Sequence, residues 1–257
     1  MKKLWILGFA SALLVLSDVE ARASVTLNWN TAPQGTLQKQ NGVYTTGSDF
    51  SAVDITIAGS NNAVPFRFGP AGLQTPAVTN TLYGGGNPAN SSLSTVANFL
   101  PTGSGTPTVT FTIDFFGFKQ GVKDVSFQLF NVDAAKHGSV LAQDVVTFNT
   151  AGLSLTGSQD NVVSGNTITG TGHTIPGASD ADLANVTVKS GNMPLHQIVF
   201  TFTQLPADMP FLAGIALGNL SFTPVPEVGQ LAIGLVACLI GGLWLLKSRR
   251  ERAGSIA

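Results

Sequence analysis

Asn131-Val132-Asp133 and, further on, Asp144 are the residues of this chain best suited to chemistry, because clustered carboxylate and amide oxygens are what a hard cation such as calcium takes as ligands. Asn131 and Asp133 are two apart, so on an extended segment they emerge on one face at a strand end, and Asp144 opens the strand that returns. Three oxygen-bearing side chains then converge on one loop. A plainer role fits the same residues, since Asn and Asp at strand ends bond to nearby backbone and cap turns. The spacing is that of neither an EF-hand nor a glycine-rich calcium repeat. Turn capping is therefore the expected role, with calcium as the alternative and the one cofactor these residues suit.

No other constellation assembles. His137, His173 and His196 stand far apart in polar contexts, and the only cysteine is Cys238, so a structural zinc would have to recruit carboxylates. The chain has no Gly-x-Ser-x-Gly elbow, no Walker phosphate loop and no His-Glu-x-x-His pair. Between residues 24 and 222 there are ten Asp and no Glu, so a glycosidase would need two facing Asp, and none is marked out by its neighbours. No catalytic residue is assigned, and an enzyme is not expected. A sugar-stacking surface would draw on Trp29, Tyr44 and Tyr83. Of these, Trp29 lies in phase with Val25 and Leu27 and reads as core, whereas Tyr83, beside Gly84-Gly85-Gly86, reads as an exposed ring.

The elements that must position these residues are strands. Runs of period-two alternation rich in β-branched and aromatic residues occur at Val25–Trp29, Val53–Ile57, Thr108–Phe116, Lys123–Phe130, Val145–Phe148, Asn185–Val188, Gln197–Thr203 and Gly214–Phe222, separated by Gly, Pro, Asn and Ser. In Thr108–Phe116, Val109, Phe111, Ile113 and Phe115 fall on one face and Thr108, Thr110, Thr112 and Asp114 on the other, the mark of a half-buried antiparallel strand. Lys123–Phe130 repeats the device, and the Gly117 to Gly121 link predicts a hairpin between the two. No amphipathic helical stretch is long enough to act as a crossover. The expected fold is therefore all-β, an antiparallel β-sandwich of jelly-roll or immunoglobulin-like order. Residues 58–106 read as a long irregular loop, with helical character only at Leu93–Leu100.

Composition bounds the function. Of the 257 residues 44% are hydrophobic and 11% charged, so Thr, Ser, Asn and Gln must supply the polar surface, as in many extracellular β proteins. The stretch 24–222 carries ten Asp against six Lys and Arg, which is mildly acidic and offers no basic stripe to a nucleic acid. Because Cys238 lies outside this stretch, no disulfide forms within it, and its core must be self-sufficient.

The two ends are of another kind. Lys2 and Lys3, an apolar run from Leu4 to Leu16 and the small-x-small site Ala21-Arg22-Ala23 predict a signal peptide over 1–23, helical in its apolar part and cleaved after Ala23. At the other end Val225-Pro226-Glu227 precedes an apolar run over 228–246, long enough for one transmembrane helix. The basic tail Lys247, Arg249, Arg250 and Arg252 should stay cytoplasmic, which places 24–226 across the inner membrane.

A Val-Pro-Glu element, an apolar span and a terminal Arg cluster together resemble the PEP-CTERM sorting signal of Gram-negative bacteria, with Val228 where that signal usually has its second proline. The resemblance covers residues 223–257. It implies recognition at Pro226 and Glu227 by an exosortase, a membrane protease-transpeptidase, and an association with exopolysaccharide. The segment Val122–Phe148 is also loosely similar to ectodomains that carry this signal. The expected protein is thus an exported, non-catalytic component of the cell envelope or extracellular matrix over 24–222. It is either held in the membrane or released after processing. The alternative is a carbohydrate-binding module or a weak polysaccharide-acting enzyme at the cell surface.

Overall fold

Alternation of apolar and polar residues forces a strand to bury one face, and in this chain two sheets bury their faces against each other. The computed structural model describes residues 23–40, 43–46, 52–60, 63–65, 74–80, 91–100, 105–137, 140–172, 184–206, 211–227, 240–242 and 244. The chain divides into two units, one spanning Ser24–Thr223 and the other made of residues 1–23 and 224–257.

The first half of the chain contributes β1 (Val25–Leu27), a 3-10 turn (Trp29–Thr31), β2 (Gly35–Thr36), β3 (Gln38–Gln40), β4 (Val43–Thr45), β5 (Asp54–Ser60), β6 (Ala63–Pro65), β7 (Ala77–Thr79), β8 (Ser92–Phe99), β9 (Thr108–Asp114) and β10 (Val122–Phe130). The second half contributes β11 (Ala134–His137), β12 (Val140–Phe148), β13 (Leu153–Gly157), β14 (Asn161–Ser164), β15 (Thr167–Gly170), β16 (Val186–Ser190), β17 (Gln197–Leu205), β18 (Phe211–Leu217) and β19 (Leu220–Pro224).

One sheet runs β1-β19-β10-β18-β8-β7-β2, with β16 and then β13 added at β10 and β6 at β8; the other runs β14-β15-β12-β17-β9-β5-β4-β3, with β11 added at β12. Among the described residues the two sheets together hold nineteen strands, more than the roughly eight of a jelly roll or the roughly seven to nine of an immunoglobulin-like sandwich. Their inner faces share one core. Phe127 meets Phe148 at 6.4 Å, Phe99 meets Phe202 at 5.2 Å, and Phe115 meets Phe222 at 5.2 Å, each pair crossing from sheet to sheet or its margin. Within the second sheet Phe111 and Phe200 stack at 4.7 Å on directly opposed positions. The all-β expectation holds.

Three expectations change. The predicted hairpin between Thr108–Phe116 and Lys123–Phe130 does not form. Strand β9 pairs with β5 and β17 in one sheet, and β10 with β16 and β18 in the other. Alternation shows that each strand has an apolar face, but the two faces meet across the core instead of lying side by side. The link is fixed by close approaches: a Cβ on Gly117 would stand 2.6 Å from that of Ala52, and Gly121 takes φ +77° where a Cβ would stand 2.8 Å from the Leu195 carbonyl oxygen. Residues 58–106 are not simply a loop, since they hold β6, β7 and β8. Leu93–Leu100, read as helical, lies mostly in β8, which is buried on both faces and so lacks alternation. Gly214–Phe222, read as one strand, is interrupted at Gly218 and Asn219, where Trp29 docks. The Trp29 indole Nε1 donates to Gly218 O at 2.8 Å, and Asn219 Oδ1 accepts from the Trp29 backbone at 3.0 Å.

Among the described residues no helix is long and apolar enough to cross a membrane. The signal segment up to residue 22, most of the apolar run 228–246 and the basic tail at Lys247, Arg249, Arg250 and Arg252 lie outside the described residues.

Candidate functional site

Strand β12 changes its neighbour part way along. Its first half, up to Gln143, pairs with β11, and from Val145 onward it pairs with β15, so Asp144 stands where the neighbour changes. On the opposite edge β17 runs past without a break, and its Gln204 is directly across from Asp144. Both residues lie on the inward face. Asp144 alternates in phase with Val146 and Phe148, and Gln204 with Ile198, Phe200 and Phe202. A carboxyl and an amide have therefore been placed where apolar side chains would continue the core.

Asp133 completes the group from the segment between β10 and β11. Its backbone carbonyl accepts from Asp144 N at 2.9 Å, and its own N–H points at Asp144 Oδ2 at 3.5 Å. Gln204 Nε2 donates to Asp144 Oδ1 at 3.2 Å. All three side chains are buried: Asp144 is 1% exposed, Gln204 5% and Asp133 9%. Burial pushes the Asp144 carboxyl well above its ordinary range, and the neighbouring Asp133 charge acts in the same direction, against the hydrogen bonds from Asp133 N and Gln204. Gln204 Oε1 is buried with no hydrogen-bond partner.

The surrounding backbone is arranged to hold Asp133. Gly170, the last residue of β15, lies so close to the Asp133 carbonyl that a Cβ would overlap it. Ala134 N donates to Gly172 O at 2.7 Å, Gln143 Nε2 to Gly170 O at 2.9 Å, and Asn161 Nδ2 to Val132 O. Strands β11, β12 and β15 thus meet at the acidic pair, and Asn161 of β14 anchors the segment before it.

Of the sequence-predicted ligands, the fold brings Asp133 and Asp144 together and turns Asn131 elsewhere. Asn131 takes φ +63°, and its Nδ2 donates to Gly214 O of β18 at 2.8 Å. The residue that sequence reasoning missed is Gln204, whose signal is a polar side chain in the inward phase of an otherwise apolar strand. No three or more His, Cys, Asp or Glu side chains gather in metal-binding range among the described residues.

Trp29 is fully buried, which removes it from any sugar-stacking surface. Of the other two aromatic candidates, Tyr83 and the side chain of Tyr44 lie outside the described residues. His196 is exposed, with its carbonyl accepting from Phe115 N, while His173, the side chain of His137, Ala21 and Cys238 lie outside the described residues. Ala23 is exposed immediately before β1, and Val225, Pro226 and Glu227 follow β19 without regular structure, Glu227 being exposed.

No protein-family model matches the chain, and no curated protein is significantly similar to it. Among solved structures, the K2 cleaved adhesin domain of Lys-gingipain aligns at 12% identity over 78% of this chain and 98% of that one, with a TM-score of 0.30. At that score the likeness carries no argument.

Proposed function

We propose that the protein is an exported, non-catalytic component of the cell envelope or extracellular matrix. A signal peptide ending at Ala23 is removed on export, and a PEP-CTERM-like tail is read at Pro226 and Glu227 by an exosortase. Until processing, the apolar run 228–246 holds the chain in the inner membrane as a transmembrane helix, with the basic tail on the cytoplasmic side. Exopolysaccharide is the matrix in which the released domain resides. The observation that supports this reading best is the closure of the sandwich on its own two ends. Val25, two residues after the cleavage site, pairs with Phe222, three residues before Val225. Everything between the two sorting segments is thus drawn into one cysteine-free all-β unit, Ser24–Thr223.

The test is to express the full chain in hosts with and without an exosortase, fractionate the cells and determine both termini of the mature product by intact mass. The reading expects an N-terminus at Ser24 in both hosts and a C-terminus trimmed near Pro226-Glu227 only where the exosortase is present. Retention of the apolar run in both hosts would make the tail a plain anchor, and recovery of an uncleaved cytoplasmic chain would overturn export itself.

A further inference from the structure

Two links cross one end of the sandwich side by side, from β9 to β10 over residues 115–121 and from β16 to β17 over residues 191–196. Phe115 N donates to His196 O at 2.9 Å, and Val122 and Leu195 exchange backbone bonds of 2.8 and 2.7 Å. The last strand finishes at this same end, because Phe222 of β19 lies 5.2 Å from both Phe115 and Phe118. The two links also carry the most exposed large apolar side chains of Ser24–Thr223 among the described residues, Met193 at 68% and Phe116 at 58%. The broad outer faces differ in kind, as β9 shows by turning Thr108, Thr110, Thr112 and Asp114 away from the core.

We infer that this end of the sandwich docks through Phe116 and Met193 on the lipid surface of the membrane that holds the tail. The inference rests on the reading of 228–246 as a membrane span. Chain length selects the end. Only residues 224–227 separate Thr223 from the apolar run, a reach of at most about 14 Å. Strand β17 alone runs nine residues, about 30 Å, towards the other end, where Leu205 and Leu212 are exposed. An upright sandwich holds those leucines out of reach, and one lying on its side would turn threonine hydroxyls to the bilayer, which gain nothing by leaving water. Apolar side chains on loop tips suit the boundary between headgroups and acyl chains. Lys119, Lys123 and Lys189 near this end are offset by Asp54, Asp114 and Asp124, so the attachment is apolar and needs no anionic lipid.

The experiment uses the full chain with Cys238→Ser, reconstituted in phosphatidylcholine vesicles and carrying an environment-sensitive fluorophore at Phe116→Cys, Met193→Cys or, at the far end, Leu212→Cys. All three side chains are more than half exposed, so the label leaves the core undisturbed. Flotation with the vesicles first establishes that the chain is anchored. In floated chains, lipids bearing a nitroxide near the headgroup should quench the labels at 116 and 193 at least about twofold more than the label at 212. Water-like emission at both 116 and 193 overturns the docking while leaving the span intact, as does stronger quenching at 212. Chains that fail to float overturn the span and the docking with it.

Discussion

A carboxyl on the inward face of a strand must give up its charge or find a partner for it, and Asp144 makes that choice measurable. The fold favours the protonated form. The native state keeps a proton that the unfolded chain has released above the ordinary value of 3.8. Folding therefore takes up a proton, and stability from this group is present below 3.8 and is lost as pH rises through the raised native value. Asp144→Asn copies the neutral form and has no such loss. Urea unfolding should show the variant gaining on the wild type as pH rises from 3.8 towards neutrality. Parallel curves would show that Asp144 does not titrate differently in the fold.

At the scale of elements, short polar side chains repair the places where strands fail to meet. Strand β8 pairs along its length with β18, but its other edge is shared by β7 up to Ser94 and by β6 from Ala97. Val96 falls in the gap. The buried Thr75 hydroxyl serves it on both counts, donating to Val96 O at 3.2 Å and accepting from Val96 N at 3.0 Å. Thr75→Val keeps the shape and removes both bonds, and should cost about 2 kcal/mol in chemical denaturation; a neutral result would mean that Val96 finds other partners. The hydroxyls of Thr46, Thr150 and Ser190 likewise accept from the backbone N–H groups of Ile55, Val199 and Val125. The composition gave notice of this, since a chain so rich in Thr and Ser and so poor in charge has to use hydroxyls for more than solubility. Half-buried strands such as β9 and β10 were legible because alternation survives where one face meets solvent. Strand β8 was not, because burial on both faces erases the period and its Ser, Thr and Ala can suit either helix or strand. The assignment of β9 and β10 to different sheets was also hidden, since a period reveals an inner face but not the sheet that supplies it. The acidic pair was visible as Asx residues at strand ends, while Gln204, 60 residues after its partner, needed the register of β12 against β17.

For the whole molecule, the decisive pairing joins the ends. Val25, Thr26 and Leu27 match Phe222, Ser221 and Leu220, with Thr26 and Ser221 hydroxyls 2.9 Å apart, and Trp29 inserts directly behind them. A chain beginning at Trp29 should unfold about 1–3 kcal/mol more easily than one beginning at Ser24, because it lacks this ladder and the partly buried Val25 and Leu27. Equal midpoints would make β1 an ornament of the edge. The same pairing also bears on timing. A chain is made and threaded from its N-terminus, and a contact across 195 residues can form only when nearly all of them have emerged. The indole of Trp29 must wait for Gly218, 189 residues on, before its N–H has a partner. Completion of the fold is thereby deferred to the last strand.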